Sequence, residues 1–582
     1  MNKASLLLLA IFAVSCSSKT SSESHSGSHD PSVPVVAIAP REQVEAHGKK
    51  WMISTQGKYS TQIANQILKD GGSLMDAAIA ASFAIGVERP QSTGIGGGGF
   101  LIYHEAKSGK NYVFDFRERA PSQATKDMFL DENGKVVPER SETGPLAVGV
   151  PGMVRGLKLL HDRFGKTSWA KLIQPSEELA RKGIPIYPSL EQALKEERDH
   201  LVQFSESRTI FLDQSGKVKQ PGQLIIQENL AHTLKILERS PEDFYTGEIA
   251  KKIVKSVRKH GGILSLKDLK KYQVKERQAV EADWHGLHIV SMPPPSSGGI
   301  HIIQILKMLE GDKLEEFGFL SPKSLNLTAQ SMQQAFADRA RFLGDPDFVH
   351  VPSKQLLSDA YLKGLRSKFK EEGARKGTDV HSGVLLPEEH HETSHLTLMD
   401  SEGNAIVSTQ TINGLFGSDL VAEGTGIVLN NEMDDFSAQV GAKNGFGATS
   451  TSLANSVEPN KTPLSSMSPT LVFKDGKPIL ALGAPGGTRI ITSVAQTLLN
   501  YFVYHQDLYH SIAAPRIHEQ WQPDELFVEN QDVDPALLSA LSSQGWRIKR
   551  VPTQSRVMAV AREGDELIGV ADPRDIGTSS GE

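Results

Sequence analysis

The tract His391-Glu392-Thr393-Ser394-His395 offers two incompatible chemistries. As His-Glu-x-x-His it spells a zinc-hydrolase signature, in which two histidines one helical turn apart hold a metal. From Thr393 onward it offers a hydroxyl that, once its residue becomes a chain N-terminus, acts as a nucleophile with its own amine as base. The zinc reading requires a helix. Pro387 lies just upstream, Leu396 and Leu398 alternate with Thr397 and Met399, and the turn-like Asp400-Ser401-Glu402-Gly403-Asn404 leads into the β-rich run Ala405-Ile406-Val407-Ser408-Thr409-Gln410-Thr411-Ile412. This pattern predicts a hairpin, so no metal is expected at the tract.

The hairpin carries further chemistry. With Glu402-Gly403 as a two-residue turn, Thr411 and Ile412 fall opposite Ser394 and Thr393. A slip of a residue or two still returns Thr411 and Asn413 beside Thr393, adding a hydroxyl and a carboxamide. A second hairpin is predicted from Leu471 to Leu482 around Asp475-Gly476, a pair that favours a type I′ turn. Extended backward, its pairing sets Ser465 and Ser466 opposite Pro485-Gly486-Gly487. Consecutive glycines let backbone N–H groups approach a ligand closely, as an oxyanion hole requires. An ordinary loop is the competing reading.

Several tracts then carry a resemblance. Thr393-Ser394-His395, Asn430-Asn431-Glu432-Met433-Asp434-Asp435-Phe436-Ser437, Pro463-Leu464-Ser465-Ser466-Met467-Ser468-Pro469-Thr470 and Ala484-Pro485-Gly486-Gly487-Thr488-Arg489 resemble the γ-glutamyltransferase (γ-glutamyltranspeptidase) family. So do Ser92 to Phe100, Asp115-Phe116-Arg117-Glu118-Arg119-Ala120-Pro121, Pro293 to Gly299 and Ala571-Asp572-Pro573-Arg574, in order from about Met52 to the C-terminus. The resemblance implies an N-terminal-nucleophile hydrolase: an α+β, four-layer αββα sandwich built jointly by two subunits of a self-cleaved precursor. Cleavage would fall between Glu392 and Thr393, giving a large subunit 41–392 and a small subunit 393–582. By the same resemblance Thr393 is the nucleophile, Thr411 its hydroxyl partner, and Gly486 and Gly487 the oxyanion donors. Arg117 with Ser465 and Ser466 would take the α-carboxylate of a γ-glutamyl group, and Asn413, Glu432 and Asp435 its α-ammonium. The implied substrates are glutathione and related γ-glutamyl compounds with amine acceptors, and no cofactor is implied. A related acylase acting on cephalosporin side chains or poly-γ-glutamate is the alternative, and an unprocessed surface binding protein a more distant one.

The glycines from Gly94 to Gly99 suggest a nucleotide loop by spacing, but they follow the helical run Ala77 to Ala81 and precede the strand Phe100 to Tyr103. A phosphate loop needs strand then helix, so this one is expected to serve close backbone packing. Helices are predicted over Thr61–Lys69, over Ala77–Ile85 behind the capping box of Ser73 to Asp76, over Gly152–Phe164 and over Leu327–Phe342. Between Ser437 and Pro463, the stretch containing Phe446 is long enough for a lid. Family relatives often carry a tyrosine near Phe446, and its absence removes a hydroxyl contact.

At the N-terminus, Lys3 precedes an apolar run from Leu6 to Val14, and Ser15-Cys16 follows. That segment is too short to span a bilayer and reads as a lipoprotein-type signal over residues 1–16, with Cys16 as lipid acceptor. Cys16 is the single cysteine among 582 residues, so the rest of the chain has neither a disulfide nor a catalytic thiol. The Ser-rich stretch 17–40, with His25 and His29, reads as a tether. A net charge of -6 argues against nucleic-acid partners. The expected location is the periplasm or cell envelope, with membrane contact only through the anchor.

Overall fold

The computed structural model describes residues 32–381, 393–439, 451–553 and 555–582. Cys16, His25, His29, His391, Glu392 and Phe446 lie outside these residues, as do the expected signal and residues 440–450 of the expected lid. At the end of the expected tether the chain is already pinned: Asn530 Nδ2 donates to the Val33 carbonyl at 2.7 Å, and the Ala39 N–H to Pro573 O at 2.8 Å.

Two seven-stranded sheets form the centre. In one, Ser394–Asp400 and Ala405–Thr411 lie side by side, flanked by Trp51–Thr55 and Gly98–Glu105, with Thr578–Gly581 at one edge and Lys110–Asp115 and Lys275–Arg277 at the other. In the other, Thr470–Lys474 and Lys477–Gly483 are central, between Leu287–Ser291 and Met558–Glu563. Segments before and after residue 393 therefore alternate within both sheets, and neither segment completes a sheet by itself.

Side-chain alternation makes the layers, because successive residues of a strand face opposite sides. In the first sheet Met52, Phe100, Ile102, Met399 and Val407 point to the second sheet and share its core with Leu471, Leu480 and the helices Gly298–Leu309, Pro322–Phe342 and Arg489–Phe502. Ile53, Leu101, Leu396, Leu398 and Ile406 point the other way, into a core with the helices Lys58–Lys69, Leu74–Glu88 and Met153–Phe164. The result is the α+β sandwich of four layers, helix, sheet, sheet, helix.

Local chemistry explains the element ends. Ser73 accepts from the Asp76 N–H while Asp76 accepts from the Ser73 N–H, the reciprocal cap expected from sequence. Asp475 and Gly476 both have positive φ, 51° and 74°, in the type I′ turn joining Lys474 to Lys477. The first hairpin differs by one residue from expectation. Its last pair is Met399 with Ala405, and Asp400 N–H donates to Asn404 O at 3.1 Å, so three residues, Ser401 to Gly403, form the loop. Gly403 supplies the positive φ, 98°, that such a loop needs. Ser394 consequently pairs with Gln410, and one further step along this register sets Thr393 opposite Thr411.

The glycines from Gly94 to Gly99 are packing residues, as expected. A Cβ on Gly96 would stand 2.0 Å from Val428 O, and one on Gly97 2.0 Å from the carbonyl of Thr411. Gly97 thus lets the Gly98–Glu105 strand press against the backbone that carries Thr411.

Burial also sets a pH response. Burial pushes His395 down to about 3, and His301 likewise, the latter opposed by its hydrogen bond to Gln304. Both lie below the ordinary imidazole value of ~6.5, so on acidification the unfolded chain takes up these protons first. Their stabilising contribution is complete above the ordinary value and is lost as pH falls from there toward 3. The melting temperature is expected to drop between pH 7.5 and 5, with a shallower drop in His301→Gln. Equal slopes for the two proteins would exclude His301 as a source.

Candidate active site

Thr393 is the residue immediately before the Ser394–Asp400 strand, buried to 3 % exposure. Its Oγ1 lies 3.4 Å from Thr411 Oγ1, which accepts the Asn413 N–H at 2.7 Å. That bond biases the Thr411 hydroxyl to donate its own hydrogen. The 3.4 Å separation is longer than a formed O–H···O bond, as is common for catalytic contacts before substrate arrives. From the other side Gln56, with its amide turned so that both neighbours are satisfied, donates to the Thr393 carbonyl at 3.0 Å and accepts from Arg89 Nη2 at 3.1 Å, with Arg89 paired to buried Asp575 at 3.0 Å. Ser394 Oγ meets Ser92 Oγ at 3.0 Å.

His395 faces the second sheet. Its Nδ1 contacts Thr409 Oγ1 at 2.8 Å and its Nε2 contacts Thr397 Oγ1 at 3.0 Å. A Cβ on Gly483 would come within 2.3 Å of the ring. Both nitrogens are engaged by threonines and the residue stands in a strand, so His395 is a packing group between the hairpins.

Gly486 and Gly487, with φ of 122° and 53°, form the turn between the Lys477–Gly483 strand and the Arg489–Phe502 helix. Among the described residues neither N–H has a main-chain partner. Ser555 Oγ braces this turn by donating to Pro485 O at 2.8 Å, and Thr488 Oγ1 donates to Gln520 Oε1 at 2.8 Å. Both amides sit at the positive end of a 14-residue helix, a favourable place for developing negative charge.

Arg117, Thr393, Thr411, Asn413, Glu432, Asp435, Ser465, Ser466 and Gly487 line one cavity, with Gly486 one residue behind Gly487. The serines arrive by a route other than the extended hairpin. The second ladder stops at Thr470 opposite Leu482, with a bulge at Val472/Phe473, and Ser465 instead bridges Ser296 in parallel.

The two terminal nitrogens of Arg117 are already paired, one with Glu432 and the other with Asp435, and its Nε donates to Pro463 O at 3.0 Å. The Tyr272 hydroxyl donates to the Arg117 carbonyl at 2.7 Å, fixing the backbone. Burial opposes the Arg117 charge, but Glu432, Asp435 and Glu118 together raise its pKa. Three buried carboxyl groups surround this one guanidinium. Burial, and then Glu432, raise the Glu118 carboxyl well above the ordinary range. Burial likewise raises Asp435, with Arg117 acting in the opposite direction. Asn413, at φ 78°, donates through Nδ2 to Asn431 O at 3.1 Å.

Three further residues line the cavity: Arg339, Met467 and Ile490. Arg339 was within reach of the sequence. It follows Asp338 amid Ala335, Ala337 and Ala340, and ionic residues set among small ones in a buried helix need a partner or a ligand. One group of metal-ligand residue types, Glu197, His200 and Asp419, comes together elsewhere in the described residues, and none of the three lines the cavity.

A four-layer sandwich whose central strand presents a threonine beside a hydroxyl partner and a glycine turn defines the class of N-terminal-nucleophile hydrolases. Within that class the chain belongs to the γ-glutamyltranspeptidase family, whose model, described as Gamma-glutamyltranspeptidase, matches residues 60–582. It is 40% identical over 551 residues to the glutathione hydrolase proenzyme of Escherichia coli, covering 94% of each chain. The crystal structure of Helicobacter pylori γ-glutamyltranspeptidase is 37% identical with a TM-score of 0.55, covering 60% of this chain and 96% of that one. A cephalosporin acylase from Bacillus halodurans, 24% identical, shares the fold with a TM-score of 0.80 over 94% of this chain and 99% of its own.

Proposed function

We propose that Thr393, freed by cleavage of the Glu392–Thr393 bond, attacks the γ-carbonyl of glutathione and related γ-glutamyl compounds. The chain is a γ-glutamyltransferase and glutathione hydrolase. Its released α-amine, with an ordinary pKa of ~7.7–8.0, takes the Thr393 hydroxyl proton. The oxyanion of the tetrahedral intermediate is held by the N–H groups of Gly486 and Gly487. Collapse breaks the amide and returns the proton to the departing amine. The γ-glutamyl ester on Thr393 is then attacked by water, giving glutamate, or by an amine, giving a new γ-glutamyl amide.

The observation carrying this reading is that one cavity is lined both by Thr393 and Gly487 and by Arg117, Glu432, Asp435 and two serines. A γ-glutamyl group brings a reactive amide at one end and a zwitterion at the other. Its ammonium suits the surplus of carboxyl groups over Arg117. An acyl group such as glutaryl, lacking that ammonium, would leave the same carboxyls without a new cation, which favours the transferase over an acylase.

N-terminal sequencing of the purified protein, together with release of aniline from a γ-glutamyl anilide, tests the proposal. A second chain beginning at Thr393 and chelator-insensitive release are expected; a cut elsewhere, or loss of activity with EDTA, would overturn it. Thr411→Val keeps shape but removes both the contact to Thr393 and the acceptor of the Asn413 N–H, so kcat should fall by at least ~10-fold. An unchanged kcat would remove Thr411 from the chemistry.

The site of action is proposed to be the cell envelope. Support comes from Lys3, the apolar run Leu6 to Val14 and Ser15-Cys16, together with the Ser-rich stretch that follows. No helix among the described residues is long and apolar enough to cross a membrane. Labelled palmitate should enter the wild-type protein and not Cys16→Ser.

A further inference from the structure

Arg339 is a second guanidinium at the charged end of the cavity, on the 21-residue helix Pro322–Phe342, and is 6% exposed. Its Nη2 donates to Ser466 Oγ at 3.2 Å and its Nε to Ser297 Oγ at 3.0 Å. Ser297 in turn donates from both its Oγ and its N–H to the Ser465 carbonyl, each at 2.8 Å. Ser465 Oγ accepts the Met467 N–H at 3.1 Å.

Each serine hydroxyl therefore accepts from a fixed N–H donor. An oxygen so engaged directs its own hydrogen elsewhere, and both residues line the cavity. Arg117, paired with Glu432 and Asp435, lines the same cavity as the two serines.

We infer that Arg339 is a positioning residue for the substrate α-carboxylate: it polarises Ser466 and ties down Ser465 through Ser297. This explains the Ser296-Ser297 pair in the proline- and glycine-rich tract Pro293 to Gly299 as the link between the helix and the cavity serines. The inference rests on the γ-glutamyl reading of the site.

Three anilides separate the contributions: γ-glutamyl, glutaryl (no ammonium) and 4-aminobutyryl (no α-carboxylate). Arg339→Met should raise KM for the γ-glutamyl and glutaryl anilides ~10–100-fold, the range for a hydrogen bond to a charged group. With 4-aminobutyryl anilide, kcat/KM should stay within about twofold of wild type, an effect too small to signal a lost interaction. Arg339→Lys, which keeps charge but cannot hold Ser297 and Ser466 together, should recover part of the loss. Appearance of two chains on a gel reports that each variant has folded, and Arg339→Lys carries the test if Arg339→Met does not mature. Should the 4-aminobutyryl anilide turn over too slowly, inhibition constants for glutamate and 4-aminobutyrate give the same comparison. Equal loss with and without the carboxylate, or no loss at all, overturns the inference. Failure of the wild-type protein to cleave γ-glutamyl anilide would instead overturn the underlying γ-glutamyl reading.

Discussion

Thr393→Ala should yield a single full-length chain and no measurable transfer or hydrolysis. One hydroxyl serves two reactions on this chain: attack on the preceding peptide bond and attack on the substrate amide. Alanine removes both while leaving the packing intact, because Thr393 fills a buried position at the strand end with its backbone held by Gln56. Loss of a covalent nucleophile from a preorganised site typically lowers kcat on the order of 10⁴- to 10⁶-fold. The checks are a denaturing gel, where uncut protein runs near 63.4 kDa, and a γ-glutamyl anilide assay. Thr393→Ser keeps the hydroxyl and should still mature and turn over. Two chains in the alanine variant, or activity within tenfold of wild type, would place the nucleophile elsewhere.

Arg117→Gln is expected to have the second largest effect, on stability as well as on turnover. Glutamine leaves Glu432 and Asp435 buried at 1% and 6% exposure without their shared cation. Breaking a buried pair in this way costs about 3–5 kcal/mol, most of it the desolvation of the orphaned charges. The deficit depends on pH in a definite direction. Burial already raises the pKa of both carboxyls, and removing Arg117 removes the main influence that lowers them. A carboxyl whose folded pKa lies above its unfolded value destabilises the fold at higher pH, and protonation relieves this as pH falls. The melting temperature of Arg117→Gln should therefore lie furthest below wild type near pH 8 and approach it toward pH 5. Activity should be lost across that range, because the zwitterion-binding end collapses. A pH-independent gap between the two proteins would show that the ion pairs are not its source.

Much of this site was legible in the chain. Strand alternation after Thr393 predicts a strand in place of a zinc helix, and Ser394–Asp400 is a strand. Asp475-Gly476 specified its turn, because both residues tolerate positive φ. The first hairpin was misjudged by one residue: Glu402-Gly403 looks like a two-residue turn, and only the Asp400 to Asn404 hydrogen bonds select the three-residue loop. That single step decides whether Thr411 or Ile412 stands across from Thr393.

By itself, then, the sequence determined the two hairpins, the Asp475-Gly476 turn, the glycines that permit close approach and the residue types required for acyl transfer. Those are local properties, set by backbone sterics and periodicity within a few residues. Tertiary structure alone decided which charges meet. Arg117 and Asp435 are 318 positions apart, as Arg339 and Ser466 are 127 apart. Pairing across such separations depends on sheet register and layer packing, which bring cation and carboxylate into a cavity where water no longer screens them. So the same arginine that reads in sequence as an open fork for a carboxylate is, in the folded protein, neutralised by two acidic residues, with a second arginine behind the serines.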